Sequence, residues 1–283
     1  MAPQRDVDEV TMIANSDQIS LSRRSRMLWL GQLWEHRELV RVLVTRDLKV
    51  RYKRSVLGFL WTLLNPLITI VIFSLVFSHI FSSIYEQYKL YMFSGVLIWN
   101  FFSLATSQGL ASLVSNGGTI RKMAVPKVVF PLAVVCSNFL NLVFSLAALA
   151  IVFPFVGGHP TPSLLWLVVL LPTLFLFTLG LSFLLSTATV FLRDLRNIWD
   201  PLLMIWFFLT PVFYPRSVVP ERYYSLIRFN PMLSIIEACR LPIYLGIAPS
   251  LGLFLKSIGS AIALLMIGIA IFRRYEDKVI YYL

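Results

Sequence analysis

Residues Arg46–Leu67 read "RDLKVRYKRSVLGFLWTLLNPL". Five of the first nine are Lys or Arg, and from Ser55 onward nothing ionises until His79. A charged side chain in hydrocarbon is expensive, so an abrupt switch from cations to an apolar run of this length marks the mouth of a membrane span. The cations hold that mouth on the side where Lys and Arg accumulate. Asn65-Pro66 interrupts the run and frees backbone carbonyls, which is tolerated where neighbouring helices re-satisfy them. Pro66 is then either a fixed kink required by packing or a point of bending. A chain opening this way is expected to be an all-α integral membrane protein.

Upstream, Arg37, Arg41, Thr45, Lys49 and Lys53 recur every four residues. Leu39, Val40, Leu43, Val44 and Leu48 fall on another face, behind Trp29 and Trp34. This pattern predicts an amphipathic helix over 27–55, lying in the cytoplasmic membrane interface. Residues 1–26 are polar, carry no apolar stretch of the signal-peptide kind, and are expected to form a disordered cytoplasmic tail.

Downstream the same logic repeats. Of 283 residues, 58% are hydrophobic and only 14% charged, against about a quarter charged in soluble domains. Mean hydropathy is +0.77. Six apolar stretches, about 56–81, 90–113, 128–156, 164–192, 198–214 and 251–272, predict six transmembrane helices in a domain spanning 56–283. The net charge of +11 sits beside these stretches rather than in a nucleic-acid stripe, so lipid headgroups and topology account for it. Eleven Lys/Arg precede Val56. Arg121, Lys122, Lys127, Arg193, Arg196, Arg273, Arg274 and Lys278 fall on the same side of the expected topology. The other side holds six: Lys89, Arg216, Arg222, Arg228, Arg240 and Lys256. Both termini are therefore expected in the cytoplasm. Between spans five and six, segments 218–229 and 232–246 flank Asn230-Pro231 and are too short to cross. They are either re-entrant half-helices or an exterior loop with surface helices.

Several chemistries are excluded. No G-x-x-x-x-G-K-[ST] is present, so this chain does not hold ATP by a P-loop. Cys136 and Cys239 form no framework, and His36, His79 and His159 are scattered, so no metal site is expected. Asp200 stands at the cytoplasmic end of span five and no other carboxylate lies in a span, which argues against a proton- or sodium-coupled transporter. Energy for any transport is expected to come from another chain.

The spans carry uncharged polar residues instead. Span two has Ser94, Asn100, Ser103, Thr106, Ser107, Gln108 and Ser112; span three has Ser137, Asn138 and Asn141; span four has Thr178, Ser182, Ser186, Thr187 and Thr189. These serve helix packing or the wall of a hydroxylated cargo. The dense aromatics, among them Trp61, Phe73, Trp99, Phe102, Trp206 and Tyr214, are either lipid contacts or a stacking track. The loop "SNGGTIRKMAVPKVVFP", Ser115–Pro131, breaks at Gly117-Gly118. It lets Thr119 cap a short helix through Ile120–Val125, and Pro126 ends that helix. Its Arg121, Lys122 and Lys127 are expected to face a soluble partner.

Taken together, Arg46–Leu67, Asn116 with "IRKMAVPKVVFPL", Arg193-Asp194, Pro211 with Tyr214, and Asn230-Pro231 with Arg240 resemble the membrane subunits of bacterial polysaccharide ABC exporters of the O-antigen, capsule and teichoic acid type. The resemblance runs from about Leu33 onward. It implies a non-catalytic permease working as a homodimer with two copies of a separate P-loop ATPase. ATP and Mg would be held by the partner, with no cofactor on this chain. The implied cargo is a polyprenyl-pyrophosphate-linked glycan crossing the bacterial inner membrane. Arg46, Asp47, Lys49, Arg51, Lys53, Asn116, Thr119, Arg121, Lys122, Pro126 and Lys127 would form the ATPase-coupling surface. Trp61, Phe73, Trp99, Phe102 and Tyr214 would line the channel. Arg228, Asn230, Pro231 and Arg240 would belong to an outer gate of short re-entrant helices. An exporter of drugs or small lipid-linked molecules, and a membrane enzyme acting on polyprenyl phosphate, are the alternatives; the enzyme would need clustered carboxylates for Mg²⁺, and the acids here are dispersed.

Overall fold

The computed structural model describes residues 36–52, 61, 64, 68, 71–72, 88–122, 125–216, 219–223, 227 and 229–283, and every regular element among them is helical. In chain order the helices are α1 (Arg37–Tyr52), α2 (Tyr88–Ser115), α3 (Gly117–Lys122), α4 (Val129–Val152), α5 (Leu167–Phe191), α6 (Leu195–Leu209), α7 (Pro231–Tyr244) and α8 (Leu251–Tyr282). Helices are the form in which an apolar segment satisfies its own backbone in lipid.

Four helical segments are long and apolar enough to cross a membrane: Tyr88–Lys122, Val129–Ile151, Pro162–Phe191 and Leu251–Tyr282. They correspond to expected spans two, three, four and six. Most of expected span one lies outside the described residues, as do 1–26 and 27–35; Trp61, Leu64, Ile68, Val71 and Ile72 are helical. Expected span five is α6, only 15 residues long. At 1.5 Å per residue it reaches about 22 Å, short of a 30 Å hydrocarbon core. The last helix continues past Phe272 to Tyr282, so Arg273, Arg274 and Lys278 extend it rather than follow it.

α2 is the central post. From Tyr88 to Phe102 all but Lys89 and Asn100 are buried, against α4, α5, α6 and α7. The most extensive pairing is α5 with α8. There a Cβ on Gly268 would stand 2.1 Å from the Gly180 carbonyl oxygen, so only glycine permits this approach. Without a hydrophobic drive between helices in lipid, such backbone contact is what dispersion packing uses.

α1 buries Leu43 and Val44 and packs Leu39, Val40 and Leu48 against α4. Burying Leu43 and Val44 contributes about 1.5–3 kcal/mol each. Its opposite stripe, Arg37, Arg41, Thr45 and Lys49, is exposed. The apolar stripe thus covers another helix.

One end of the bundle gathers α3, the start of α4, the α5–α6 turn and the end of α8. Leu283 lies against Gly117, Lys127 reaches Glu276, and Phe191 packs on Tyr275 and Tyr282. Arg121, Lys122, Lys127, Arg193, Arg196, Arg273, Arg274 and Lys278 all belong to this end.

Candidate functional site

The cationic end is built on short, well-anchored pieces. Asn116 donates its side-chain amide to Ser112 O (2.8 Å), and its carbonyl accepts from the backbone N–H of Thr119 (2.9 Å) and Ile120 (3.0 Å). The short helix therefore starts one turn earlier than expected, at Gly117, and Thr119 lies inside it rather than at its cap. α2 ends at Ser115, and α3 opens at Gly117, which is buried, while Gly118 is exposed. Ile120 plugs α3 into the core while Arg121 and Lys122 point to solvent. Pro126 is half-buried.

Lys127 departs from the expected partner-facing role. It is buried, and its ammonium donates to the Glu276 carbonyl at 2.6 Å, tying the loop to α8. On α1, Arg46 donates to its neighbour Asp47 through Nε (3.2 Å) and Nη2 (3.1 Å), an exposed pair contributing about 0–1 kcal/mol. Lys49 is exposed. Arg51 turns the other way: its Nη2 donates to Asn138 Oδ1 (3.0 Å) and Gln108 Oε1 (3.3 Å) inside the bundle. Lys53 lies outside the described residues.

The flank formed by α2 and α6 separates the polar residues that sequence left undivided. Ser94, Thr106 and Ser112 are buried and donate to carbonyls of their own helix. Asn100 is exposed and Ser103 and Ser107 are half-exposed, three to four residues apart, which sets one polar strip along α2. Ser107 donates to Asp200 Oδ1 on α6 at 2.9 Å. Around the strip lie exposed Leu104, Leu202, Ile205 and Phe208.

Trp99 and Phe102 stand behind this strip. Phe102 is 0% and Trp99 5% exposed, so within one chain neither faces open space. They pack on Trp206 with ring centroids 6.3 Å and 5.1 Å away, and Trp99 also meets Phe207 at 5.4 Å. Edge-to-face aromatic pairs of this kind add about 0.5–1.5 kcal/mol beyond area burial and fasten α6 to α2. Trp61 is exposed, Tyr214 is half-buried and donates to Phe208 O at 2.7 Å, and Phe73 lies outside the described residues.

At the opposite end, α6 stops at Leu209 and the chain runs on without regular structure. Four successive carbonyls are then satisfied by side chains. Arg240 donates to Pro211 O (3.1 Å from both Nη1 and Nη2) and Val212 O (2.7 Å); Tyr88 donates to Phe213 O (2.6 Å) and Tyr91 to Tyr214 O (3.1 Å). Irregular backbone at membrane depth requires this kind of internal satisfaction. The Arg240 guanidinium also lies 3.8 Å from the Tyr91 ring centroid, a cation–π contact. Arg240 is thus turned inward; Glu237 pairs with Arg216 at 3.5 Å. Arg228 lies outside the described residues.

Asn230 organises the start of α7. Its Oδ1 accepts from Met232 N (3.1 Å) and Trp206 Nε1 (3.0 Å), and its Nδ2 donates to Thr210 Oγ1 (2.8 Å). Pro231 at the first helical position loses no hydrogen bond. α7 has 14 residues, most of them buried, so it packs into the bundle rather than lying on its surface. Among the described residues no group of three His, Cys, Asp or Glu side chains comes together.

Comparison with known proteins fits this architecture. The ABC-2 type transporter family matches residues 38–244. The Myxococcus xanthus O-antigen export system permease protein RfbA is 35% identical over 213 residues, covering 73% of this chain and 80% of the relative. A Klebsiella pneumoniae protein of the same name is 33% identical over 215 residues, covering 75% and 81%. The Escherichia coli polysialic acid transport protein KpsM is 21% identical over 249 residues, covering 85% and 95%. The match covers three of the four membrane-length segments and the irregular turn satisfied by buried side chains, and the chain belongs to the ABC-2 type transporter family.

Proposed function

We propose that this chain is the permease subunit of an ATP-driven exporter that carries polyprenyl-pyrophosphate-linked polysaccharide across the bacterial inner membrane. The observation that carries this reading is the similarity to O-antigen export permeases over four-fifths of their length. The chain acts as a homodimer with two copies of a separate P-loop ATPase, both termini lying in the cytoplasm. The cationic end supports the orientation, since Lys and Arg collect on the cytoplasmic side.

The ATPase docks on the exposed residues of that end: Arg46, Lys49, Thr119, Arg121 and Lys122, held in place by Asp47, Asn116, Pro126 and Lys127. The cargo path lies between two copies along the α2–α6 flank. Trp61 and the Asn100–Ser103–Ser107 strip face it, and Phe73, Trp99, Phe102 and Tyr214 stand in or behind its wall. A polymer must slide, so weak hydroxyl and aromatic contacts suit it better than charge pairing. The half-length helix α7, with Asn230, Pro231, Arg240 and the neighbouring Arg228, closes the outer end.

The test is reconstitution in proteoliposomes with the partner ATPase and a lipid-linked glycan. ATP-dependent appearance of glycan on the far side is expected only when both chains are present. ATP hydrolysis by the lone purified chain, or glycan crossing without it, would overturn the reading.

A further inference from the structure

Arg51 is the exception on α1. The helix splits into an exposed cationic stripe and an apolar stripe facing α4, yet Arg51 lies on the inward side. There its Nη2 meets Gln108 of α2 and Asn138 of α4, residues 57 and 87 positions away. Asn138 in turn donates to Gln108 Oε1 at 2.9 Å, which closes a three-membered network. Gln108 lies about 10 Å in from the end of α2, and Asn138 about 13 Å in from the start of α4, at 1.5 Å per residue. No carboxylate within salt-bridge distance of Arg51 occurs among the described residues. An arginine in this position costs more than the leucine that the stripe calls for.

The packing around it gives the reason for a directional contact. Leu43 and Val44 hold α1 to α4 by dispersion, which is non-directional and allows sliding and rotation. A guanidinium is planar and presents its donors in a fixed fork. Once it bonds two amides on two helices, α1 has one angle and one register relative to both.

We propose that Arg51, Gln108 and Asn138 form a polar latch that makes α1 a rigid extension of α2 and α4, so that movement of α1 at the ATPase is delivered to the helix that lines the cargo path. Arg51 is a positioning residue here and does not touch the ATPase. The inference rests on the exporter reading above.

The experiment uses the reconstituted exporter and measures glycan exported per ATP hydrolysed. Gln108→Leu with Asn138→Leu removes both acceptors. The triple variant adding Arg51→Met makes the site wholly apolar. If the network serves stability alone, the triple variant recovers, because replacing all partners by apolar groups of similar volume is close to neutral. The latch predicts that both variants lose at least about fivefold in export per ATP, as expected for loss of a coupling free energy. A triple variant exporting with wild-type coupling overturns the proposal. Should that variant fail to accumulate, Arg51→Lys decides: it keeps the charge but not the fork, and a wild-type ratio there overturns the proposal equally.

A second arm needs no cargo. Spin labels at Val42 and Leu140, both exposed, are introduced after replacing Cys136 and Cys239 by Ala. The distance distribution should be narrow with the latch intact and broad in the triple variant; equal widths overturn the latch. Absence of ATP-dependent export by the wild-type complex would instead overturn the exporter reading, and leaves this arm to judge the latch.

Discussion

Arg240 shows how one residue settles a local structure. Its guanidinium serves two carbonyls, and Tyr88 and Tyr91 serve the next two, so the turn after α6 needs no water. Gly95 exists for the same guanidinium: a Cβ there would lie 2.2 Å from Arg240 Nη2 and 2.6 Å from Val212 O. Arg240→Met keeps much of the stem but orphans buried carbonyls. It is expected to cost about 3–5 kcal/mol, from two buried carbonyls left unsatisfied at about 1–3 kcal/mol each together with the lost packing of the guanidinium on Tyr91. In detergent this should appear as a Tm lowered by at least about 6 °C, taking about 2–4 °C per kcal/mol for a chain of this size. Gly95→Ala should also destabilise, and the double variant should cost less than the sum, because both changes act on one contact. Additive losses would show that Gly95 answers to some other neighbour.

At the scale of elements, α3 separates stability from docking. Ile120 anchors it, Asn116 starts it, and Leu283, just past the end of α8, covers Gly117. Arg121 and Lys122 contribute nothing to that anchorage and are exposed. Arg121→Glu with Lys122→Glu should therefore leave stability within the range of surface substitutions, about ±0.5 kcal/mol each, and so hardly move Tm. Recovery of the ATPase on the purified complex should fall severalfold, because potential complementarity governs such contacts. Unchanged association would remove α3 from the docking surface. Lys127, five residues beyond Lys122, behaves differently because its ammonium donates to the Glu276 carbonyl of α8 inside the protein, so Lys127→Glu is expected to lower stability as well.

At the scale of the molecule, the question is which surface meets water and which meets lipid. The α2–α6 flank mixes Asn100, Ser103, Ser107 and Asp200 with apolar residues, whereas α8 exposes Ile262, Met266 and Ile267. With Cys136 and Cys239 replaced by Ala, Ser103→Cys and Ser107→Cys should react with a water-soluble maleimide in the assembled, cycling exporter. Ile262→Cys and Met266→Cys should react only with a lipid-phase reagent. The reverse pattern would move the cargo path to the α8 side. Trp99→Cys gives the intermediate case: buried behind the strip, it should label only when the aromatic cluster with Trp206 opens.

Four of the six expected spans were legible in the sequence because hydrocarbon imposes a one-dimensional rule: a run of apolar residues with cations at one end has few other fates. The same rule exposed the two faces of α1 and the shortness of the segment after Asn230-Pro231, which at 14 residues cannot cross. It failed where polarity is resolved by a partner distant in the chain. Arg51 and Lys127 read as surface cations because charge in sequence has no direction, and only the packing of α1 on α4, and of the loop on α8, turned them inward. That the Arg240 guanidinium is spent on the Pro211 and Val212 carbonyls was hidden for the same reason. That α6 covers Trp99 and Phe102 within one chain was not legible either, because which ring meets which depends on helix rotation, which composition does not encode. What the sequence by itself determined is the membrane, the helices and the cationic end. The tertiary structure decided which polar groups are spent on satisfying backbone and neighbouring helices, because hydrogen bonds in a low-dielectric interior are made by whatever donor the fold brings within reach.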